Sequence, residues 1–210
     1  MARDTSVVDA DFVHFVGLWE LNMTGAAVTD AAFVHLRGIR VLDMSLCNQD
    51  TITDAGIAHL VGIQKLCIWG CEQETLTDAA FAPLRGLRVL NISFCRQLTD
   101  AAFVHLKGIH TLIMAYCDQP SITDTALAHL KGIQCLVLHG CRIPFTEVGL
   151  AHLRGITRLH MESANAASIA AARDLGLPAT TGRRMELMSA SAFRFCDAES
   201  GPWPVGAEWA

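Results

Sequence analysis

Two residue types able to bind metal or attack a substrate recur in this chain at regular intervals. Cys47, Cys71, Cys95, Cys117 and Cys141 each close a short apolar stretch. His14, His35, His59, His105, His129 and His152 each stand directly before the last apolar residue of a helix-like stretch, and Pro83 fills that slot once. Thiols and imidazoles are zinc ligands, but zinc needs its donors within about 2.1–2.3 Å of a single point. No two of these cysteines have C-x-x-C spacing. Columns of residues on parallel elements hold their side chains side by side, about 4.8 Å apart between strands and about 8–10 Å apart between helices. Thiols in such a column have parallel Cβ vectors, whereas a disulfide needs converging ones. The cysteines therefore read as small buried residues bonded weakly to loop backbone. The histidines read as partly exposed repeat residues. One further set, Cys135, His139, His160 and Glu162, comes from the last two strand-like segments and superficially suits a Cys–His nucleophile pair or a metal site. No motif enforces that geometry, and an open ladder of strands lacks a water-excluding pocket. The expectation is a protein that is not an enzyme, with no cofactor and no metal.

What must position these columns is a repeat. Between Thr5 and about Ala166 the phrase TDAAFVHLRGIRVLDMSLC returns about every two dozen residues, with closing glycines at Gly17, Gly38, Gly62, Gly86, Gly108, Gly132 and Gly155. A period of roughly 20–29 residues containing L-x-x-L-x-L-x-x-C is the signature of a leucine-rich repeat solenoid. In the unit from Thr51, Thr53 is the helix N-cap and Asp54 meets the positive end of the helix dipole. Ile52 and Ile57 staple the entry, with Val8, Val28, Leu76, Leu98, Ile122 and Phe145 in the staple slot of the other units. Gly62 closes the helix in the left-handed region. Ile63, Leu66 and Ile68 anchor and fill a short strand, and Cys71 turns the chain back. The spacing predicts seven strands, an N-terminal cap over 1–15, a last helix over 168–175, and a final edge strand over 185–188.

The units LDMSLCNQDTITDAGIAHL, LNISFCRQLTDAAFVHL and LIMAYCDQPSITDTALAHL resemble the cysteine-containing class of leucine-rich repeats, best known from the substrate-binding half of F-box proteins in ubiquitin ligases. They are similar also to the shorter TDAGLAHL repeats of bacterial proteins. The resemblance covers residues 5 to about 166. It departs from the F-box-associated repeats in lacking their Cys-Pro step, and no stretch before Thr5 reads as an F-box. The resemblance implies a concave protein-binding surface.

The strand positions that should face the concavity differ from unit to unit. One column reads Asn22, Asp43, Cys67, Asn91, Ile113, Val137 and His160; the next reads Thr24, Ser45, Trp69, Ser93, Ala115, His139 and Glu162. Leu46, Phe94 and Tyr116 sit one residue further on, and Lys65 and Arg158 flank the strands. A constant framework with a varied face rich in aromatic residues is the composition of a recognition surface. The candidate binding residues are Lys65, Cys67, Trp69, Asn91, Phe94, Ile113, Tyr116, Val137, His139 and His160. A basic column on the helical side (Arg37, Arg85, Lys107, Lys131, Arg154) complements helix dipoles. The competing reading is a structural repeat without a dedicated partner.

A formal charge of −5 argues against a binder of duplex nucleic acid, which needs a basic stripe. No apolar run reaches the roughly 18 residues that would span a bilayer. Residues 1–12 carry Arg3, Asp4, Asp9 and Asp11 where a signal peptide needs an apolar stretch. The expectation is a right-handed, curved α/β solenoid over 1–177 with an aperiodic tail over 178–210. It should be a cytoplasmic monomer whose partner is a protein or peptide, neither nucleic acid nor membrane, with substrate recognition as in ubiquitin-ligase subunits one form of that role. Strict phasing of the cysteines with the repeat predicts reduced thiols. Thiol titration under denaturing, non-reducing conditions should find essentially all eight cysteines reactive, and recovery of two or fewer would defeat this.

Overall fold

The computed structural model describes residues 7–181; the edge strand expected over 185–188 and the tail over 193–210 lie outside the described residues. From the second unit to the seventh, each begins with an extended threonine. Thr53 (φ −127°, ψ 178°) accepts the Ala55 N–H on its hydroxyl at 3.1 Å and opens α2 (Asp54–Ile57). The same capping opens α1 (Asp30–Phe33), α3 (Asp100–Phe103), α4 (Asp124–His129) and α5 (Glu147–Leu150). In the first and fourth units 3-10 turns, Asp9–Phe15 and Asp78–Phe81, take the slot. These helices are shorter than the distance from cap to closing glycine suggests. Several continue as 3-10 turns (Val34–Leu36, Val104–Leu106, Ala151–Leu153), whose longer rise per residue spans the unit with few residues. Gly62 then turns the chain at φ +86°, a conformation glycine adopts without a Cβ clash.

After each closing glycine comes one strand: β1 (Glu20–Asn22), β2 (Val41–Asp43), β3 (Lys65–Cys67), β4 (Val89–Asn91), β5 (Thr111–Ile113), β6 (Cys135–Val137), β7 (Arg158–His160) and β8 (Ala179–Thr180). They form one parallel sheet of eight strands in chain order. The central leucines are in register, Leu21 against Leu42 through Leu136 against Leu159. From Leu42 onward they are fully buried, in one continuous core with Phe33, Phe81 and Phe103 from the helical side.

Successive units are tied by a side-chain relay. Asp54 Oδ1 accepts the backbone N–H of Thr77 in the next unit at 2.8 Å, and its Oδ2 accepts the Thr77 hydroxyl at 2.6 Å. The same two bonds join Asp9 to Thr29, Asp30 to Thr53, Asp78 to Thr99, Asp100 to Thr123 and Asp124 to Thr146. The aspartate that reads as a partner of its own helix dipole thus also fixes the N-cap of the following helix.

Three details differ from the sequence reading. Val8 is the N-cap residue of the first turn and half exposed; Val7 is the neighbour packed against the core. The repeat there carries valine where other units have threonine, so Asp11 accepts the Val8 N–H instead. The last helix, α6, spans Ala166–Asp174, because Asn165 caps it by accepting from Ala167 and Ser168. Ala179 and Thr180, read as the start of the tail, form β8 against β7. Pro178 directly precedes this strand, where its fixed φ suits extended chain.

Leu90→Ala should cost roughly 2–5 kcal/mol, the range for a large-to-small change in a packed core. Asp78→Ala removes both relay bonds to Thr99 and should cost about 1–3 kcal/mol. Exposed Glu74→Ala should stay within about 0.5 kcal/mol. Urea unfolding of the three variants measures all of these.

Candidate functional site

The closing cysteines point away from the strand face, into the loops. Each thiol donates to a carbonyl one unit back: Cys47 to Met23, Cys71 to Met44, Cys95 to Ile68, Cys117 to Ile92 and Cys141 to Met114. Two residues on, Gln49, Gln73, Gln97 and Gln119 donate their amides to the carbonyls of Ala26, Cys47, Cys71 and Cys95. The histidine column lies on the helical side, exposed or half-buried. Arg37 Nη2 stands 3.3 Å from His59 Nδ1.

On the strand face, an aromatic row crosses the units along the C-terminal ends of the strands. The rings of Trp69 and Phe94 meet edge to face at 5.9 Å, and those of Phe94 and Tyr116 stack at 4.8 Å. Tyr116 meets His139 edge to face at 5.1 Å, and its hydroxyl lies 2.9 Å from His139 Nε2. His139 Nδ1 is 3.6 Å from Glu162 Oε2, an electrostatic contact beyond hydrogen-bond length.

The backbone beneath this row is unusual. Two residues after each strand's last inward position the chain is left-handed, and in three units the residue there is glycine: Gly25, Gly70 and Gly140. In the others it is Leu46 (φ 60°), Phe94 (φ 63°), Tyr116 (φ 56°) and Ser163 (φ 55°). Large side chains in this region cost on the order of 1–3 kcal/mol each. From Gly25 to Gly140 the turn is held because the N–H of each left-handed residue donates to a carbonyl of the next unit, as Phe94 does to Ala115 and Tyr116 to His139. Gly140 serves a second purpose, since a Cβ there would strike the Tyr116 ring. Nothing in strand alternation signals this conformation. The available clue is one repeat column that alternates glycine with Leu, Phe and Tyr.

The ten candidate residues divide into two groups. Trp69, Phe94, Tyr116, His139 and His160 are half-buried and form the accessible part of the face. Lys65, Cys67, Asn91, Ile113 and Val137 are buried, with exposures of 6%, 2%, 2%, 0% and 0%. Asn91, expected to be solvated, instead accepts the Ser93 N–H on Oδ1 at 3.0 Å. Asp43 uses the same turn, accepting from Ser45, whose hydroxyl lies 3.2 Å from the Cys67 thiol. Burial lowers the Lys65 pKa to about 8; Glu20 opposes that shift and Arg88 adds to it. Of the set Cys135, His139, His160 and Glu162, the structure joins His139 to Glu162, while His160 Nδ1 lies 2.9 Å from the Thr180 hydroxyl. Burial first and Arg158 second lower the His160 pKa. Cys135 lies at the opposite end of its strand from His139.

With this geometry in hand, the class of protein follows: a single parallel ladder backed by short helices is an α/β leucine-rich repeat solenoid. Among solved structures, a chain of the yeast Rad7–Elc1 complex matches with a TM-score of 0.52 and 19% identity, over 72% of this chain and 44% of that one. A chain of the complex of TLR13 with ssRNA13 matches with a TM-score of 0.48 and 18% identity, over 69% of this chain and 24% of that one. The chain thus spans less than half the length of the Rad7–Elc1 chain it matches. The first likeness is one of fold. No protein-family model matches the sequence, and no curated protein does. Among the described residues, no helix is long and apolar enough to cross a membrane.

Burial pushes the Cys67 thiol up to about 12 and raises Cys71 and Cys95 as well. Cys117 is raised by the adjacent Cys141 thiol first and by burial second. Because these folded values exceed the unfolded one of about 8.5, the stabilisation is complete below that pH and lost above it. Each such cysteine should lower the unfolding free energy by up to about 1.4 kcal/mol per pH unit above about pH 9. Lys65, with its pKa lowered, acts in the opposite direction between about 8 and 10.5, but as a single group. Urea titrations in a phosphine reductant at pH 8 and 10 should show a net loss, and Cys95→Ala should make it smaller.

Proposed function

We propose that this protein is an interaction module that binds a partner protein or peptide through its strand face. The observation that carries this reading is the row Trp69–Phe94–Tyr116–His139, all four members in ring contact across successive units and two held in a strained backbone. At Phe94 and Tyr116 packing of the solenoid does not require a large side chain, because glycine occupies the same column in other units. Strain retained at a surface position is a reason to look for function. Aromatic rings with one polar handle each are the side chains that concentrate binding energy. The net charge of −5, with Glu20, Asp43 and Glu162 on or beside the face, favours a polypeptide over a nucleic acid as partner.

In this reading the protein is a binder and not an enzyme: His139 and Glu162 lie on an open row, and Cys135 is held apart from them along its strand. The phasing of the cysteines with the repeat, each thiol bonded to a loop carbonyl, supports a reducing compartment such as the cytoplasm. The resemblance to ubiquitin-ligase repeats supports substrate recognition as one form of the role, with the chain acting as a monomer.

Affinity capture from the native cell, repeated with variants, tests the proposal. Trp69→Ala should weaken a captured partner by roughly 2 kcal/mol or more, with the circular dichroism spectrum retained. Phe94→Gly relieves the left-handed strain and should keep the fold while also weakening the partner. His35→Ala on the helical side should change binding by less than about 0.5 kcal/mol. A reversed pattern would move the binding surface to the helical side, and no effect from any of the three would favour a structural repeat without a partner.

A further inference from the structure

Charge is unevenly divided between the two edges of the ladder. Where helix passes into strand, the residue before each closing glycine and the second residue after it form two adjacent columns. Seven of these fourteen positions hold Lys or Arg, and none holds Asp or Glu. The described residues together carry sixteen acidic and twelve basic side chains, so the negative charge belongs to the rest of the molecule. From the fourth unit to the seventh the basic ridge is continuous, with Arg85, Arg88, Lys107, Lys131 and Arg154 all exposed. None of these five side chains makes a hydrogen bond or ion pair with another described residue. Helix dipoles do not account for the ridge. Lys107 and Arg154 follow 3-10 turns of only three residues, and neither side chain donates to a carbonyl among the described residues. Val61 fills the same column in the third unit, so packing does not require a cation there. Five like charges without counter-charges repel one another, and nothing in the described fold offsets that repulsion.

We propose that this ridge is a second binding surface, and that its ligand is an acidic segment of polypeptide in extended conformation. It is separate from the strand face and does not depend on the reading of that face. Alternate side chains of an extended chain lie about 6.6–6.8 Å apart on one side. The units stand about 4.8 Å apart at the strands and about 8–10 Å apart at the helices, and the edge between them has an intermediate spacing. One carboxylate from every second ligand residue can therefore meet one cation per unit. Arg85, Arg88 and Arg154 can each take a carboxylate on two parallel N–H bonds, while Lys107 and Lys131 act as point charges. A short acidic segment meets the ridge alone. A nucleic acid is charged along its whole length, and beyond the ridge it would meet the acidic remainder of the molecule.

Fluorescence anisotropy on the full chain tests the proposal with two labelled probes, a peptide alternating Glu and Ser and an oligothymidylate of equal charge. The peptide should bind saturably at low salt and more weakly at physiological salt. The ridge variant Arg85→Glu/Lys107→Glu/Lys131→Glu should weaken it by roughly tenfold or more. Arg96→Glu/Arg142→Glu/Arg173→Glu makes the same change in net charge at three exposed positions off the ridge. It should change peptide affinity by less than about twofold. Equal losses in the two triple variants would mean a response to net charge alone and would overturn the proposal. No peptide binding to the wild type at low salt would do the same. Tighter binding of the oligothymidylate than of the peptide would assign the ridge to nucleic acid, which also overturns it. Sedimentation of the chain alone adds a further arm: self-association that the ridge variant abolishes would assign the ridge to a second copy instead. Should the ridge variant lose its circular dichroism spectrum, Lys107→Gln/Lys131→Gln takes its place, and undiminished peptide affinity then overturns the proposal. Trp69→Ala should leave peptide affinity unchanged, and a tenfold loss there would move the peptide to the strand face. Either surface can thus fail while the other stands.

Discussion

A repeat solenoid has no contacts between distant units, so everything depends on how one unit holds the next. Here the directional part of that task falls to the Thr-Asp dipeptide. Each aspartate accepts both the N–H and the hydroxyl of the following unit's threonine, and that threonine in turn caps its own helix. Hydrophobic stacking of the central leucines supplies most of the attraction, but it is non-directional and would tolerate sliding. The relay specifies position, and the cysteine and glutamine bonds to preceding carbonyls do the same in the loops. The exposed row on the opposite face of the sheet is thereby freer to vary.

That freedom explains the character of the strand face. The ladder of backbone bonds extends past each strand into the left-handed residue, so this position is fixed in conformation whatever its side chain. Where it is glycine the surface is bare; where it is Phe94 or Tyr116 a ring is projected across to the next unit. The rings fix one another in place, which lowers the entropy lost when a partner docks. The same face is crowded in its lower half, where Ile113 and Val137 are out of contact with water.

Much of the architecture was legible in the residues themselves, because repetition multiplies each weak local signal. One Thr-Asp pair before a glycine-closed apolar stretch is ambiguous; five in phase, followed by Thr146-Glu147, define the unit, its cap and its strand. Leu90 as core and Trp69 as outward-facing follow from that phase alone, since strand side chains alternate with period two. The departures arise where the repeat is least regular. Val8 stands where threonine is usual, α6 begins at Asn165 in place of a Thr-Asp pair, and β8 is only two residues long.

The sequence by itself therefore determined the period, the parallel ladder, the inward leucines and the phase that turns Trp69 and His139 outward. These are properties of spacing, and spacing is written in the chain. Only the tertiary structure decided that Asp54 serves Thr77 across a unit boundary, that Phe94 and Tyr116 are left-handed and stacked, and that Asn91, Ile113 and Val137 are buried. Each of these depends on what lies beside or above a residue in a neighbouring layer. Hydrogen-bond partners, ring contacts and burial are relations between residues distant in the chain, and local propensity carries no record of them.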